Sequence, residues 1–372
     1  MRPLEIAGLG LIRPPIENAL ASARRHEAAG FDAIWWSDHF LHWFPPGVWT
    51  PDLVPHAAVM RSPHAFLDPM PVMGAVAGVT ERVGLGTAVT DAVRRHPALL
   101  AQTFLTLDHL SRGRALLGIG VGEAENIVPF GLPFERVASR LIEAVEIIRL
   151  LWSTIEPVDF EGEFWRLDGA ILGAEPYGER PPPIWMAAHR PRVLRATGRL
   201  ADGWMPNFVD AGEYGAALAV IRAASTEAGR RPEDVRAGNF VWMVVDEDRG
   251  RAERMLDSLL LRLVALTAPT SEYERAGSVH PLGSRWGLLD YVPTRLSREE
   301  GLAAAAAVPE EVLRRYYFWG TPDDVVDRLR PFRAAGLEHA YLVNVTPLAD
   351  LSVAATAADR TEEVLHGLRR LP

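Results

Sequence analysis

Ala33-Ile34-Trp35-Trp36-Ser37-Asp38-His39-Phe40 is the stretch on which the fold turns. Four apolar residues, too few for a helix and rich in bulky side chains, run straight into a polar, chemically active corner. Just upstream, Glu17 to Ala29 reads as a helix, with Ala19, Leu20, Ala23 and Ala28 on one side and Gly30 as its stop. Helix, glycine, short buried strand and reactive loop together form one unit of an α/β protein.

The same unit recurs in both directions. Leu4 to Leu9, Val83 to Val89, Ala115 to Ile119, Ile184 to Ala187, Trp204-Met205, Phe240 to Val245 and Ala340 to Val343 read as further strands. Between them, helices are expected over Pro69 to Val79, Pro97 to Leu110, Val137 to Trp152, Pro191 to Leu200, Tyr214 to Ala228 and Pro322 to Ala335, with a closing helix around Leu365 to Leu371. Val158 to Trp165 reads as a side hairpin turning at Glu161-Gly162. Eight strands alternating with helices imply a parallel sheet, and at this count a closed (β/α)8 TIM barrel, one domain over residues 1–372. The excess length falls after the second strand, residues 41–67, and before the last βα unit, residues 267–308; both carry aromatic residues and read as lids over the barrel mouth.

Composition excludes much chemistry. The 372 residues hold 39 basic and 48 acidic side chains, a formal charge of −9, which speaks against a nucleic-acid partner. Cysteine and lysine are both absent, so thiolate metal sites, cysteine nucleophiles, Schiff bases and P-loop lysines are excluded. No window reaches the ~20 uncharged apolar residues of a membrane span. Glu5 and Pro14-Pro15 do not suit a secretory leader, so a cytoplasmic location is expected.

In a barrel of this type the chemistry lies where strands end. An acid beside a histidine, Asp38-His39, suits proton transfer there, because imidazole titrates near neutrality; a locally capped histidine is the plainer alternative. His39, His42, His56 and His64 lack a matching carboxylate cluster, so no metal is expected. Gly118-Ile119-Gly120-Val121-Gly122-Glu123 fails the dinucleotide fingerprint, with Glu123 in the third glycine position. Its glycines admit either a flat ligand or tight packing within the barrel, and Glu123 and Asn126 stand at the mouth. After the fifth strand a helix begins beside His189, Arg190 and Arg192, a local place for a phosphate or carboxylate. Thr90 to His96 repeats that arrangement after the third strand.

Ser37 to Phe40, Gly84 to Val89, His96-Pro97-Ala98 with Ala101-Gln102, Gly118 to Glu123 and Ala201-Asp202-Gly203-Trp204 together resemble the bacterial luciferase-like superfamily. Asp38-His39 with Gly122-Glu123 and Asn126 is similar to the branch using the deazaflavin coenzyme F420. Val89 to Ala92, Arg94-Arg95, Ala187-Ala188-His189 and Leu194 to Arg199 resemble its phthiodiolone dimycocerosate ketoreductase group more closely than its glucose-6-phosphate dehydrogenases. The resemblance covers essentially the whole chain. It implies His39 and Glu123 as catalytic residues, His39 as acid/base for the substrate oxygen and Glu123 for the proton at the coenzyme's N1. It implies a coenzyme site of Asp38, Ala88, Val89, Thr90, Gly122, Asn126, His189, Arg190, Arg192 and Val193, with a cis peptide at Ala88-Val89. Trp43, Asn207 and Arg315 would face the substrate, and a homodimer is expected. The dehydrogenases have glycines where this chain has His189-Arg190, and they grip phosphate with lysine, which is missing here. Trp43, Phe44, Val48, Trp49, Leu53, Val54, Phe66 and Leu67 in the first lid favour an apolar substrate. The expected activity is hydride transfer between F420 and a carbonyl or secondary-alcohol carbon. A flavin mononucleotide (FMN) monooxygenase, or a C=C or C=N reductase, is the alternative.

Overall fold

Strands form where apolar runs are short and bounded by loops: β1 (Glu5–Leu9), β2 (Ala33–Trp36), β3 (Gly84–Thr87), β4 (Thr90–Asp91) and β5 (Ala115–Gly120). Then come the antiparallel hairpin β6 (Val158–Glu161) and β7 (Arg166–Ala170), β8 (Ile184–Met186), β9 (Gly203–Trp204), β10 (Arg236–Val245), β11 (Phe318–Gly320) and β12 (His339–Asn344). This computed structural model describes residues 2–207, 210–283 and 287–371. The staves pair in parallel in the order β1-β2-β3-β5-β8-β9-β10-β12, and β12 returns to β1. The sheet is thus the closed eight-strand barrel that the alternation predicts. β4 continues the β3 stave beyond a cis Ala88–Val89 peptide and pairs with β5.

The amphipathic helices lie within two residues of expectation over most of the chain, among them Ile16–Ala29, Pro97–Ser111, Val137–Ser153 and Pro191–Leu200. Three features differ. The hairpin's return strand is Arg166–Ala170, so the turn spans residues 162–165 and not Glu161-Gly162. β10 starts at Arg236, four residues early, because its lower end pairs with β9 while its upper end pairs with β11. A helical stretch follows it from Arg249–Met255 through Leu259–Ala265 to Glu310–Tyr316. Leu259–Ala265 is apolar almost all round and buried, so it shows no one-sided stripe from which to read a helix.

The barrel floor is plugged. The Trp35 indole N–H donates to His339 Nε2 at 2.9 Å, His339 Nδ1 lies 3.1 Å from Glu5, and the Tyr341 hydroxyl donates to the Trp35 carbonyl. The opposite end carries the loops. There the two insertions pack on each other: Tyr291 donates to the Trp43 carbonyl at 2.7 Å, and Arg298 bonds Thr50 and Asp52.

Packing decides the role of the β5 glycines. A Cβ on Gly118 would overlap the Thr87 carbonyl oxygen, and one on Gly120 would lie 2.7 Å from Val89 Cγ2. The glycines therefore make room for the irregular β3–β4 stave, and of the two readings open in the sequence the tight-packing one holds. Gly118→Ala is expected to cost about 3 kcal/mol in urea unfolding, the upper range for overpacking. Gly74→Ala, in a helix with its nearest atom at 3.5 Å, should instead gain ~0.5–1 kcal/mol.

Candidate active site

The loop after β2 is held from below by charge. Asp38 is buried, and its carboxylate accepts from Thr90 Oγ1 at 2.6 Å, Arg94 at 3.3 Å and Arg95 at 3.4 Å. Arg94 also donates to the Asp38 carbonyl and to Asp91, whose other oxygen caps the Val93 and Arg94 backbone N–H groups. Burial alone would raise the Asp38 carboxyl; Arg94, Arg95 and the Thr90 hydroxyl hold it below the ordinary carboxylate range. Asp38 and Thr90 thus serve to anchor the loop, with Asp38's oxygens occupied by protein donors.

His39 is set on top of that anchor. Its Nδ1 lies 3.2 Å from the Leu41 carbonyl, which fixes the ring and aims Nε2 at Glu123 Oε2, 3.3 Å away. The two side chains remain 10% and 24% exposed, enough for a ligand to reach both. Asn126 ties them together. Its Oδ1 accepts from the Phe40 and Leu41 backbone at 2.7 and 3.0 Å, so its amide nitrogen faces Glu123 and Glu125. Asn126 is buried with its hydrogen-bonding capacity taken up inside the protein. Gly122, with φ +86°, provides the turn into the short helix Ala124–Ile127, and a Cβ there would lie 2.5 Å from Ile127 Cδ1.

Glu125 is a member of this cluster that the sequence motif did not single out. Trp43 Nε1 donates to it at 2.8 Å. One donor atom from each of His39, Glu123 and Glu125 lies within 4.8 Å of the others. A second carboxylate two residues after Glu123, directly before Asn126, was the available signal.

Aromatic side chains line the adjoining space. Trp43 meets Trp242 edge-on at 5.6 Å, and Trp242 stacks near Phe240 and Tyr316. Asn207 donates to the Tyr316 hydroxyl at 3.3 Å, so Trp43 and Asn207 converge on one aromatic group. Arg315 does not join it; its guanidinium pairs with buried Glu272. Phe208 and Val209, in the run after the sixth strand, lie outside the described residues. Most of the first insertion's apolar residues are spent on packing: Phe44 and Val48 are wholly buried, and Phe44 stacks on Trp49. Of the eight invoked for an apolar substrate, Trp43 and Phe66 meet the His39 ring. The apolar wall owes more to Trp242, Phe240 and Tyr316, which lie on β10 and the helix Glu310–Tyr316. Across the mouth, His189 and Arg190 stand exposed where the helix Pro191–Leu200 begins; Arg192 donates to Ser139, and Val193 is buried.

A plugged parallel barrel with an acid/base cluster and an aromatic wall at its C-terminal mouth defines the architecture of a barrel enzyme. Residues 4–339 match the luciferase-like monooxygenase family, and the chain belongs to it. It is 38% identical over 350 residues, 92% of this chain and 95% of the relative, to a phthiodiolone/phenolphthiodiolone dimycocerosates ketoreductase of Mycobacterium kansasii. An F420-dependent glucose-6-phosphate dehydrogenase of Nakamurella multipartita is 33% identical over 84% of this chain and 82% of its own length. The solved structure of an F420-dependent secondary alcohol dehydrogenase in complex with an F420-acetone adduct superposes with a TM-score of 0.77. It covers 99% of both chains at 24% identity, a likeness of fold.

Proposed function

We propose that this protein is a coenzyme F420-dependent oxidoreductase that exchanges a hydride with the carbonyl or secondary-alcohol carbon of an apolar substrate. The observation that carries the reading is the pair His39 Nε2 and Glu123 Oε2, 3.3 Å apart and reachable at the mouth. The site fits the coenzyme by its chemistry: proton-handling groups on one side, and on the other the exposed Arg190 at the start of a ten-residue helix, suited to an anionic tail. The two ketoreductase and dehydrogenase relatives supply the coenzyme and reaction class. When bound, the deazaflavin supplies the hydride chemistry. Arg190, Arg192 and the helix N-terminus would hold its phosphate side, and Val89 with Gly122 would flank its ring.

The chain's own residues do the rest. Leu41 fixes the His39 ring, so Nε2 is oriented to hand a proton to a substrate oxygen in reduction and to receive one in oxidation. Glu123 presents its carboxylate to Nε2 at 3.3 Å. Trp43, Trp242 and Tyr316 exclude water and give the substrate an apolar bed, while Asn207 offers a polar contact at its edge. Residues 41–67 and 267–308 act as lids on this space within a single barrel domain, and the enzyme works as a homodimer in the cytoplasm. No described helix is long and apolar enough to cross a membrane.

Equilibrium titration with F420 and with FMN tests the coenzyme assignment. Saturable binding of F420 with much weaker FMN binding is expected. Tight FMN binding without F420 binding would favour the monooxygenase chemistry for which the family is named.

A further inference from the structure

The hydride-transfer reading gives Glu125 no task, yet its side chain is wholly buried beside Glu123. Oε1 accepts from Trp43 at 2.8 Å and from Asn126 at 3.4 Å, whereas Oε2 is buried with no hydrogen-bond partner. An ionised carboxylate with one bare, buried oxygen is costly; a neutral carboxyl carries its own proton there. Burial, with the Glu123 carboxylate alongside, pushes the Glu125 carboxyl well above the ordinary range.

Counting protons at His39 points the same way. The Leu41 carbonyl only accepts, so Nδ1 carries a hydrogen. Nε2 then faces a carboxylate oxygen, and a bond between the two needs a further proton on one of them. Asn126 cannot provide it, since its Oδ1 is taken by two backbone N–H groups and its amide hydrogens point at the carboxylates. The other titratable or charged groups around the cluster are Tyr291, facing Glu125, Tyr316 and Arg94, facing Glu123, and His42, near His39 and pushed below the usual histidine range by burial. Both tyrosines are buried hydroxyls, and Arg94 is committed to Asp38 and Asp91.

Resting on the reading in which His39 serves the substrate oxygen, we propose that Glu123 and Glu125 share one proton and one negative charge, and that Glu125 is the positioning residue that stores the proton. The further proton is on Nε2, so His39 carries both ring hydrogens and Nε2–H points at the Glu123 carboxylate. As that N–H bond breaks and an O–H bond forms on the substrate oxygen, the O–H bond at Glu125 breaks and one forms at Glu123. Glu123 then presents that hydrogen to Nε2. The pair's charge is unchanged, and water reaching the half-open Glu123 restores the proton lost to product.

The test begins on the coenzyme-free protein. The infrared difference between wild type and Glu125→Gln is expected to show a neutral carboxylic-acid C=O stretch that persists at pH well above the ~4.3 of an ordinary glutamate. The ¹⁵N signals of the His39 ring should change in the same variant. With coenzyme and substrate, Glu125→Gln keeps the shape and the Trp43 bond, yet should lose about tenfold in kcat with KM unchanged. No acid band, or a Gln variant with wild-type kcat, would overturn the proposal and leave Glu125 a packing residue. If Glu125→Gln does not fold, Glu123→Gln serves: removing the neighbouring charge should make the Glu125 band vanish at lower pH, and an unmoved band overturns the coupling. A band without hydride exchange would defeat the proposed function while upholding the shared proton; hydride exchange without a band would do the reverse.

Discussion

His39→Ala is expected to lower kcat by about 10²–10⁴-fold while leaving coenzyme affinity within a few-fold of wild type. The reasoning is geometric. The ring is fixed at Nδ1 by the Leu41 carbonyl and enclosed by Trp43 and Phe66, so its remaining nitrogen has one direction in which to act, toward Glu123 and the open mouth. The loop around it is held by Asp38, Arg94 and Asn126, none of which depends on the imidazole. Removing the ring therefore removes proton delivery while the surrounding backbone stays in place. Rate measurements across pH, with coenzyme binding measured in parallel, check this. Near-normal turnover at every pH would show that another group transfers the proton.

Arg94→Met is expected to cost about 3–5 kcal/mol in unfolding free energy, the range for stripping one partner from a buried ion pair. Arg94 serves two buried carboxylates, Asp38 and Asp91, and its head also covers Phe40. Arg95 reaches Asp38 but is shared with Asp68 at the surface, so it compensates only in part. The effect has a definite pH sign. Asp38 is held below its unfolded value, so its contribution is present above the ordinary carboxylate range and is lost as pH falls through the depressed value. In the variant that contribution disappears at neutral pH. The gap between wild type and Arg94→Met should therefore narrow in acid, as seen by denaturant midpoints; a gap constant with pH would mean that packing over Phe40, rather than charge, dominates.

The barrel was legible because each stave pairs a short apolar run with an amphipathic helix of ordinary spacing. Val137–Ser153 and Pro191–Leu200 show this most plainly. The helices after β10 escaped notice for the opposite reason: Leu259–Ala265 is buried on all sides, and Glu310–Tyr316 is only seven residues long. At the site, His39, Glu123 and Asn126 could be picked out because they sit at strand ends with unlike chemistry. Their wiring could not. That Asn126 faces inward to the loop and not outward depends on the register between two separate strand ends, 86 residues apart in sequence. Nor could the aromatic wall be foreseen: Phe240 and Trp242 look like ordinary strand residues until the closed barrel turns them toward Trp43 and Tyr316. The first insertion misled for a related reason, since its apolar residues serve mainly to weld it to the helix Arg298–Ala306 and its neighbours.

The most direct measurement follows an isotope. Reduced F420 carrying deuterium at carbon 5 is mixed anaerobically with the protein and a panel of apolar ketones, and the product alcohols are analysed for label. Deuterium on the new carbinol carbon, formed without oxygen and at a rate that collapses in His39→Ala, is the predicted result. Product that appears only when oxygen is admitted, or label lost to water with none on carbon, would contradict it.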